Sequence, residues 1–325
     1  MPSRPPRWWP DLNQTASTKA GALHDGGRAE ETVSATKQLL AGEKPLVLAG
    51  FFGNRNITEL VNSGVLEANS IAIVGYRSTE MRLETPLLYN VRASLRDEIN
   101  KLTEHLATVG INRIGLFYED GPGAASLLAA TDDAVKKVRI TIVSRASYQA
   151  GSTRVAPSVE AFVKTTPQAI IMVASGAASA AFIEQFRGAG GTSQLLSHSG
   201  ADIEQLSKRL SEEQLRSVAI AQVVPNPYRI SGRLAKEFTD TVAKTSNLEV
   251  PVSYAMMEGY IAAKVIVEAV RRQGKNPSRA GMVTALDGMD SYDLGGYLVS
   301  FKPGMRSGAK FVELSIISGS GKIRQ

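Results

Sequence analysis

Two short motifs in the chain have spacings that enzymes use. Gly121-Pro-Gly123 lies between a predicted strand and a predicted helix, where a glycine-rich turn can hold a dinucleotide phosphate, although Ser126 replaces the third glycine. Arg145 follows the next strand and could pair with a 2′-phosphate, so an NADP site stays an open alternative. Ser34 and Lys37 have the Ser-x-x-Lys spacing of acyl-serine enzymes without their companion motifs, which favours an exposed helix face.

The residue types that most often bind metals or act as nucleophiles are scarce. The chain has no Cys, which excludes disulfides, zinc–cysteine sites and thiolate nucleophiles. His24, His105 and His198 are too far apart in sequence to form a local metal motif. Neither a Gly-x-Ser-x-Gly elbow nor a complete P-loop is present. We therefore predict no catalytic residue, no metal site and no cofactor.

Polar side chains follow three predicted strands at the point where each strand ends. The candidates are Asn54 after strand 45–50, Ser78 and Thr79 after strand 70–75, and His198 and Ser199 after strand 194–197. Each of them alone is typical of a turn or a helix cap. Because ligands of open α/β sheets bind at the carboxyl ends of the strands, together they predict one polar binding site.

The predicted elements alternate between short apolar strands and amphipathic helices. The other predicted strands are 113–118, 140–143, 169–173 and 217–224, and the helices between them are 29–40, 58–66, 96–109, 123–137, 155–164 and 177–187. This alternation is typical of βαβ units in parallel sheets that carry helices on both faces. Pro225-Asn-Pro227 then interrupts the pattern and predicts a crossover between two lobes. Helices 234–245 and 254–272 and strands 296–301 and 311–317 complete the chain.

Composition and charge exclude several classes of partner. The net charge of +6 is scattered along 325 residues, which predicts no nucleic-acid surface. The longest uncharged stretch, 165–183, has an apolar part too short to span a bilayer, so no transmembrane segment is expected. Arg4 and Arg7 precede no apolar run, so we expect no signal peptide in this chain and an unstructured tail over residues 1–20.

Several motifs occur together in an order that is more specific than any one of them. They are the segment Leu23–Leu39, Phe52-Gly-Asn-Arg-Asn56, Tyr89-Asn-Val-Arg-Ala-Ser94, Ala221-Gln-Val-Val-Pro-Asn-Pro227, Ser253-Tyr-Ala-Met-Met-Glu-Gly-Tyr260, Asp293-Leu-Gly-Gly296 and Val299-Ser-Phe301. From about Leu23 to its end, the chain resembles the type I periplasmic solute-binding proteins, in particular the branched-chain amino acid (Leu/Ile/Val) binding family of ABC transporters.

The resemblance implies an α/β fold of two Rossmann-like lobes, whose parallel sheets are joined by three crossovers. The implied bounds are 21–91 plus 226–300 for the first lobe and 92–225 plus 301–325 for the second. Nothing before Leu23 is similar to the family's first strand and helix, so the first lobe is expected to be incomplete. Pro122 and Leu95 also stand where many members have an aromatic residue.

The resemblance also implies a function and a set of contacts. A small solute, an amino acid or a similar polar molecule, would be captured between the lobes and delivered to an ABC transporter permease in the periplasm. Asn54, Ser78 and Thr79 would hold the α-carboxylate and α-amine, His198 and Ser199 would contribute from the second lobe, and Tyr254 would line the pocket. The alternatives are a ligand-sensing regulatory subunit of the same fold and, less favoured, an NADP-dependent oxidoreductase.

Overall fold

The structure is a computed structural model that describes residues 22–78, 85–317 and 323–324. These residues form two compact units, which we call the first and the second unit. The first contains residues 22–78, 85–93 and 225–311, and the second contains residues 94–224, 312–317 and 323–324. The described chain therefore passes between the units three times, and the first unit continues to Phe311, beyond the predicted lobe end at residue 300.

Helices and strands alternate along most of the described chain. The helices are α1 (Ala29–Glu43), α2 (Asn54–Asn62), α3 (Val65–Ala68), α4 (Leu95–Thr108), α5 (Ala124–Val138), α6 (Ala156–Thr165), α7 (Gly176–Gly188), α8 (Ile203–Arg209), α9 (Glu212–Leu215), α10 (Arg233–Ala243), α11 (Tyr254–Gln273) and α12 (Arg279–Asp287). The strands are β1 (Leu48–Ala49), β2 (Ile73–Val74), β3 (Leu88–Tyr89), β4 (Arg113–Asp120), β5 (Thr141–Gln149), β6 (Ala169–Val173), β7 (Gln194–Ser197), β8 (Ala219–Gln222), β9 (Tyr292–Asp293), β10 (Leu298–Val299), β11 (Glu313–Ile317) and β12 (Ile323–Arg324).

The second unit is built on a seven-stranded sheet with the order β12-β11-β8-β7-β6-β4-β5. Five of these strands, β5, β4, β6, β7 and β8, are parallel, and β11 and β12 extend the sheet beyond β8 with antiparallel pairing. Every residue of β6 is buried, as expected for a strand that helices cover on both faces. The core on one face includes Ile99, Leu102, Leu116 and Ile171. The α/β fold class predicted from the alternating pattern is confirmed.

The first unit carries a smaller parallel sheet with the order β1-β2-β3. Its core combines the strands with α1, α2 and α3, and includes Leu40, Leu48, Leu60 and Ile73. A two-stranded antiparallel ladder of β9 and β10 lies in the same unit. Among the helices of the described chain, none combines the length and apolar character needed to cross a bilayer.

Candidate functional site

The candidate site of the first unit lies at the carboxyl ends of β1 and β2. Beyond these two strands the backbone continues to pair, because the Arg77 amide donates to the Phe51 carbonyl (2.9 Å) and the Gly53 amide donates to the Arg77 carbonyl (3.0 Å). The pairing brings residues 50–54 alongside residues 75–78. The two segments meet at the edge where ligands of open α/β sheets bind, and we call this the first edge.

Asn54 and Ser78, two of the predicted site residues, are in direct contact at the first edge. The Ser78 hydroxyl donates to Asn54 Oδ1 over 2.9 Å, and both side chains are half-buried. Asn54 is the first residue of α2 and follows Gly53, which has no side chain to cap the helix amides. Gly53 has φ 101°, and a Cβ there would stand 2.9 Å from Asn56 Oδ1, so the turn requires glycine. The edge therefore combines a hydroxyl, an amide and the positive end of a helix.

A buried polar cluster fixes the start of α2. Asp25 Oδ2 accepts from the Thr32 hydroxyl (2.7 Å) and from Asn56 Nδ2 (3.3 Å), and Asn56 Nδ2 also donates to the Thr32 hydroxyl (2.8 Å). The bond from Thr32 is the main cause that holds the pKa of Asp25 below its usual value, with help from the Gly27 amide. This cluster ties the segment before α1 to the first turn of α2, and so positions Asn54.

Two arginines share one buried carboxylate beside the first edge. Glu258, in α11, has Oε2 3.5 Å from Arg77 Nε and 3.4 Å from Arg92 Nη1. The Arg77 guanidinium carbon also lies 5.9 Å from the ring centroid of Phe52, whose side chain is exposed. Arg77 directly precedes Ser78 in the chain, and the ion pairs hold its guanidinium beside the Phe52 ring.

Of the two remaining candidates in the first part of the site, Tyr254 and Thr79, the structure describes only Tyr254. Tyr254 begins α11 and is buried, and its ring packs edge to face against Tyr228 with 6.1 Å between the centroids. It belongs to the first unit, as Asn54 and Ser78 do. Thr79 lies outside the described residues.

His198 and Ser199 follow β7 in the second unit and are both buried. The Gly200 amide donates to His198 Nδ1 (3.0 Å), so Nε2 carries the proton and donates to the Ala174 carbonyl (3.0 Å). Ser199 donates its amide (2.7 Å) and its hydroxyl (3.1 Å) to the buried carboxylate of Glu98 in α4. Both residues therefore connect the end of β7 to neighbouring elements of their own unit.

The carboxyl ends of β4, β5 and β6 are joined by hydrogen bonds of the buried Tyr148 hydroxyl. The Tyr148 hydroxyl accepts from the Ser175 amide (2.9 Å) and donates to Glu119 Oε2 (2.7 Å). Burial raises the pKa of Tyr148, which keeps the hydroxyl protonated as a donor. The Ser175 hydroxyl in turn accepts from the Ala178 amide and caps α7. With His198 and Ser199, these residues form what we call the second edge.

The motifs with enzyme-like spacings occupy ordinary structural positions. Residues 121–123 join β4 to α5, and Arg145 is ion-paired with Asp132 of α5. Ser34 and Lys37 are exposed on α1, where the Ser34 hydroxyl donates to the Glu31 carbonyl. Within the described ranges, no group of three or more His, Asp or Glu side chains is arranged to hold a metal ion. Nothing in the geometry therefore favours the NADP-dependent or acyl-serine alternatives.

Sequence analysis missed three side chains at or behind the first edge. Phe52 lies inside a motif that was singled out, and its position directly after β1 was the available signal. Arg77 also precedes two predicted site residues, Ser78 and Thr79. Glu258 also lies inside a singled-out motif, 253–260, but its pairing with Arg92 could not have been found in this way, because the two are 166 residues apart in the chain.

Comparisons with known proteins agree with this architecture. The family model described as periplasmic binding protein matches residues 23–310. A substrate-binding periplasmic protein from Ralstonia solanacearum is 30% identical and has a TM-score of 0.84, and the alignment covers 93% of this chain and 86% of that one. A leucine binding protein from Thermotoga maritima is 17% identical, with a TM-score of 0.78 and coverage of 93% and 85%.

A branched-chain amino acid ABC transporter protein from Thermus thermophilus, solved with bound valine, is 13% identical, with a TM-score of 0.75 and coverage of 92% and 82%. A search of curated proteins finds no match. The likeness to the Thermus and Thermotoga proteins concerns the fold, whereas the family model and the Ralstonia protein concern the sequence as well. The chain therefore belongs to the periplasmic binding protein family, whose members bind solutes and are typically not enzymes.

Proposed function

We propose that this protein is the extracytoplasmic solute-binding subunit of an ABC importer, and that its solute is an amino acid or a similar small polar molecule with a carboxylate. The observation that carries the proposal is the contact of Ser78 with Asn54 at the start of α2, at the carboxyl edge of a parallel sheet. Membership of a solute-binding family supports it. The importer and the periplasmic location come from the resemblance and from the Thermus protein.

A carboxylate suits the groups of the first edge. The first amides of α2 point along the helix axis toward its amino end, where the helix dipole favours negative charge. The Asn54 amide can donate to a carboxylate oxygen, and the Ser78 hydroxyl can do so by exchanging its bond to Asn54 for one to the solute. Hydrogen bonds to a charged acceptor are stronger than neutral ones, which favours the exchange. We assign carboxylate binding to these two residues, and the resemblance adds Thr79, which follows Ser78 in the chain.

The roles proposed for the other residues follow from their surroundings. Tyr254 offers an aromatic ring, which packs edge to face against the exposed ring of Tyr228. His198 and Ser199 act through position, because their bonds to Ala174, Gly200 and Glu98 orient the backbone at the end of β7. In this proposal they position the backbone of the second edge, and their side chains need not touch the solute.

The test is thermal unfolding of the chain with a panel of amino acids, small carboxylates and amides, and NADPH. A solute present at one hundred times its dissociation constant adds about 2.7 kcal/mol to the free energy of unfolding if it binds only the native state. We expect at least one carboxylate to raise the melting temperature and NADPH to leave it unchanged.

Ser78→Ala should remove about half of that shift or more at the same solute concentration, whereas the matched control Ser34→Ala on the exposed face of α1 should keep it. A panel in which only NADPH shifts the transition would overturn the proposal, and so would an unchanged shift in Ser78→Ala. The importer itself is tested separately, by whether the loaded protein stimulates ATP hydrolysis by a reconstituted transporter. A loaded protein that leaves hydrolysis unchanged would contradict that part.

A further inference from the structure

Phe52 places a large apolar ring in solvent at the first edge. Its residue exposure is 65%, so it contributes little to the core of the first unit. A single exposed aromatic side chain is common on protein surfaces and needs no explanation by itself. This one directly precedes Gly53 and Asn54, at the edge where the solute is proposed to bind, and it lies beside a cation.

The cation is Arg77, which the backbone pairs directly with Phe52. Residues 52 and 77 form a parallel bridge, so their side chains leave neighbouring positions of the sheet edge. The guanidinium carbon lies 5.9 Å from the ring centroid, within the range of a cation–π contact. A ligand group bound by the guanidinium would therefore lie within reach of the same ring.

Glu258 and Arg92 hold this arginine in place. The side chain of Glu258 is only 8% exposed, and its Oε2 lies 3.5 Å from Arg77 Nε. The Arg92 guanidinium, whose side chain is also buried, lies 3.4 Å from the same oxygen through Nη1. A guanidinium fixed by an ion pair on its Nε side is suited to carboxylates, because its planar array of donors matches their two oxygens.

The charges of the first edge favour an anion over an ammonium group. Residues 50–56 and 75–78 contain Arg55 and Arg77, and two carboxylates that contact them, Asp25 and Glu258, are already bonded to donors of their own unit. The ammonium group of an aliphatic amino acid would compete with these bonds for a carboxylate, and its side chain gains no stacking from the Phe52 ring. An aromatic acid uses both features.

We propose that the solute is an aromatic monocarboxylate, with its carboxylate on Arg77 and Ser78 and its ring packed against Phe52. The inference rests on the proposed function and names the chemical class of its solute. Aromatic pairs prefer stacked or edge-to-face contacts with about 4.5–7 Å between centroids, a range that an acid held by the neighbouring guanidinium can meet. Phe52 and Arg77 are then the residues that determine specificity.

Titration calorimetry with four probes tests this proposal. Benzoate has the ring and the charge, cyclohexanecarboxylate lacks the aromatic ring, benzamide lacks the charge, and L-leucine is the aliphatic amino acid. We expect benzoate to bind about tenfold more tightly than cyclohexanecarboxylate. Benzamide should bind at least about tenfold more weakly than benzoate, because it loses the charge-assisted hydrogen bonds.

Two variants assign the two preferences to their residues. Phe52→Leu should remove the preference for benzoate over cyclohexanecarboxylate, and Phe52→Tyr, which keeps the ring, should restore it. Arg77→Gln should remove the preference for benzoate over benzamide. Arg113→Gln is the matched control, since this exposed arginine lies at the opposite, amino end of a strand in the second unit. Thermal unfolding of each variant verifies that it is folded.

The outcomes separate this inference from the proposed function. Tighter binding of L-leucine than of benzoate would overturn the aromatic class and leave a solute-binding protein. An unchanged benzoate preference in folded Phe52→Leu or Arg77→Gln would overturn the assigned contacts. Failure of every carboxylate and amino acid tested would overturn both proposals together.

Discussion

The two edges of this protein bury their polar side chains to different extents. At the second edge, Tyr148, Ser175 and His198 form hydrogen bonds with groups of their own unit, and Ser199 donates twice to Glu98. At the first edge, α2 starts after a glycine, Ser78 and Asn54 are half-buried, and an aromatic ring stands in solvent.

This difference suggests that the second edge stabilises the fold and that the first edge recognises the solute. Hydrogen bonds between buried groups stabilise a fixed backbone, because each unmade bond would cost the full desolvation of its group. Half-buried groups next to a helix amino end can exchange partners with a solute at smaller cost. We therefore expect substitutions at the second edge to change stability, and substitutions at the first edge to change binding.

The buried glutamates Glu98 and Glu258 differ in their partners and give the largest prediction. Glu98 is bonded to neutral donors, whereas Glu258 lies between Arg77 and Arg92. Glu258→Ala would leave two largely buried guanidinium groups without their shared carboxylate, which should cost about 3–5 kcal/mol. Urea unfolding measures the loss, with exposed Glu249→Ala as the control, expected within about 0.5 kcal/mol. A loss below about 1 kcal/mol for Glu258→Ala would mean that the ion pairs contribute little to the fold.

Gly75 gives the second prediction, because it allows α11 to approach the end of β2. It has φ 70°, and a Cβ added there would stand 2.5 Å from the Ala262 Cβ. Gly75→Ala should lower the free energy of unfolding by about 2–4 kcal/mol, from left-handed strain and overpacking together. Gly259 lies one turn earlier on α11, and a Cβ added there would have open space around it.

Gly259→Ala is therefore the matched control with the opposite sign. It should stabilise the protein by about 0.5–1 kcal/mol, because alanine favours a helix interior over glycine. Chemical denaturation of Gly75→Ala and Gly259→Ala measures both changes in the free energy of unfolding. Equal stabilities for the two would show that α11 moves away from β2 without cost, and that the first edge is less rigid than its contacts imply.

A pair of serine variants tests the comparison of the edges directly. Ser199→Ala removes a buried hydroxyl bond to Glu98 and should cost about 1–3 kcal/mol of stability. Ser78→Ala should change stability by no more than about 0.5 kcal/mol. It should weaken binding of the carboxylate that the wild type binds by about tenfold or more. The reverse pattern, with stability lost in Ser78→Ala and binding lost in Ser199→Ala, would exchange the roles of the two edges.

The smallest effect concerns the pH dependence of the Asp25 cluster. The native-state pKa of Asp25 lies below its ordinary value of 3.8, chiefly because of the bond from Thr32. A depressed pKa means that its contribution to stability is fully present above pH 3.8 and is lost as the pH falls through the native-state pKa. Asp25→Asn should therefore be less acid-sensitive than the wild type in urea unfolding measured across this window. Identical acid dependence of the two proteins would exclude Asp25 as a contributor.

The reach of sequence reasoning differed between the units. In the second unit, strands 169–173 and 194–197 were predicted with the bounds that the structure has, because a strand buried on both faces is a continuous apolar run. In the first unit, predicted strands 45–50 and 70–75 pair as ladders only over Leu48–Ala49 and Ile73–Val74. β3 was not predicted, because two residues carry no periodic signal.

The predicted helices were wrong or missing where the helices of the structure are short. The predicted helix 58–66 is two helices, α2 and α3, with a break at residues 63–64. The short helices α8, α9 and α12 were also not predicted, since fewer than three turns give little periodicity.

The sequence by itself determined the α/β class, the family and the position of Asn54 and Ser78 after two strands, because apolar periodicity and motif order are local properties of a chain. Only the tertiary structure decided that Ser78 donates to Asn54, that Ser199 is bonded to Glu98 and that Glu258 holds Arg77 beside Phe52. Ser199 and Glu98 are 101 residues apart, and Arg92 and Glu258 are 166 residues apart. Partners so distant are chosen by packing and by the need to pair buried charge, and no local pattern of residues encodes that choice.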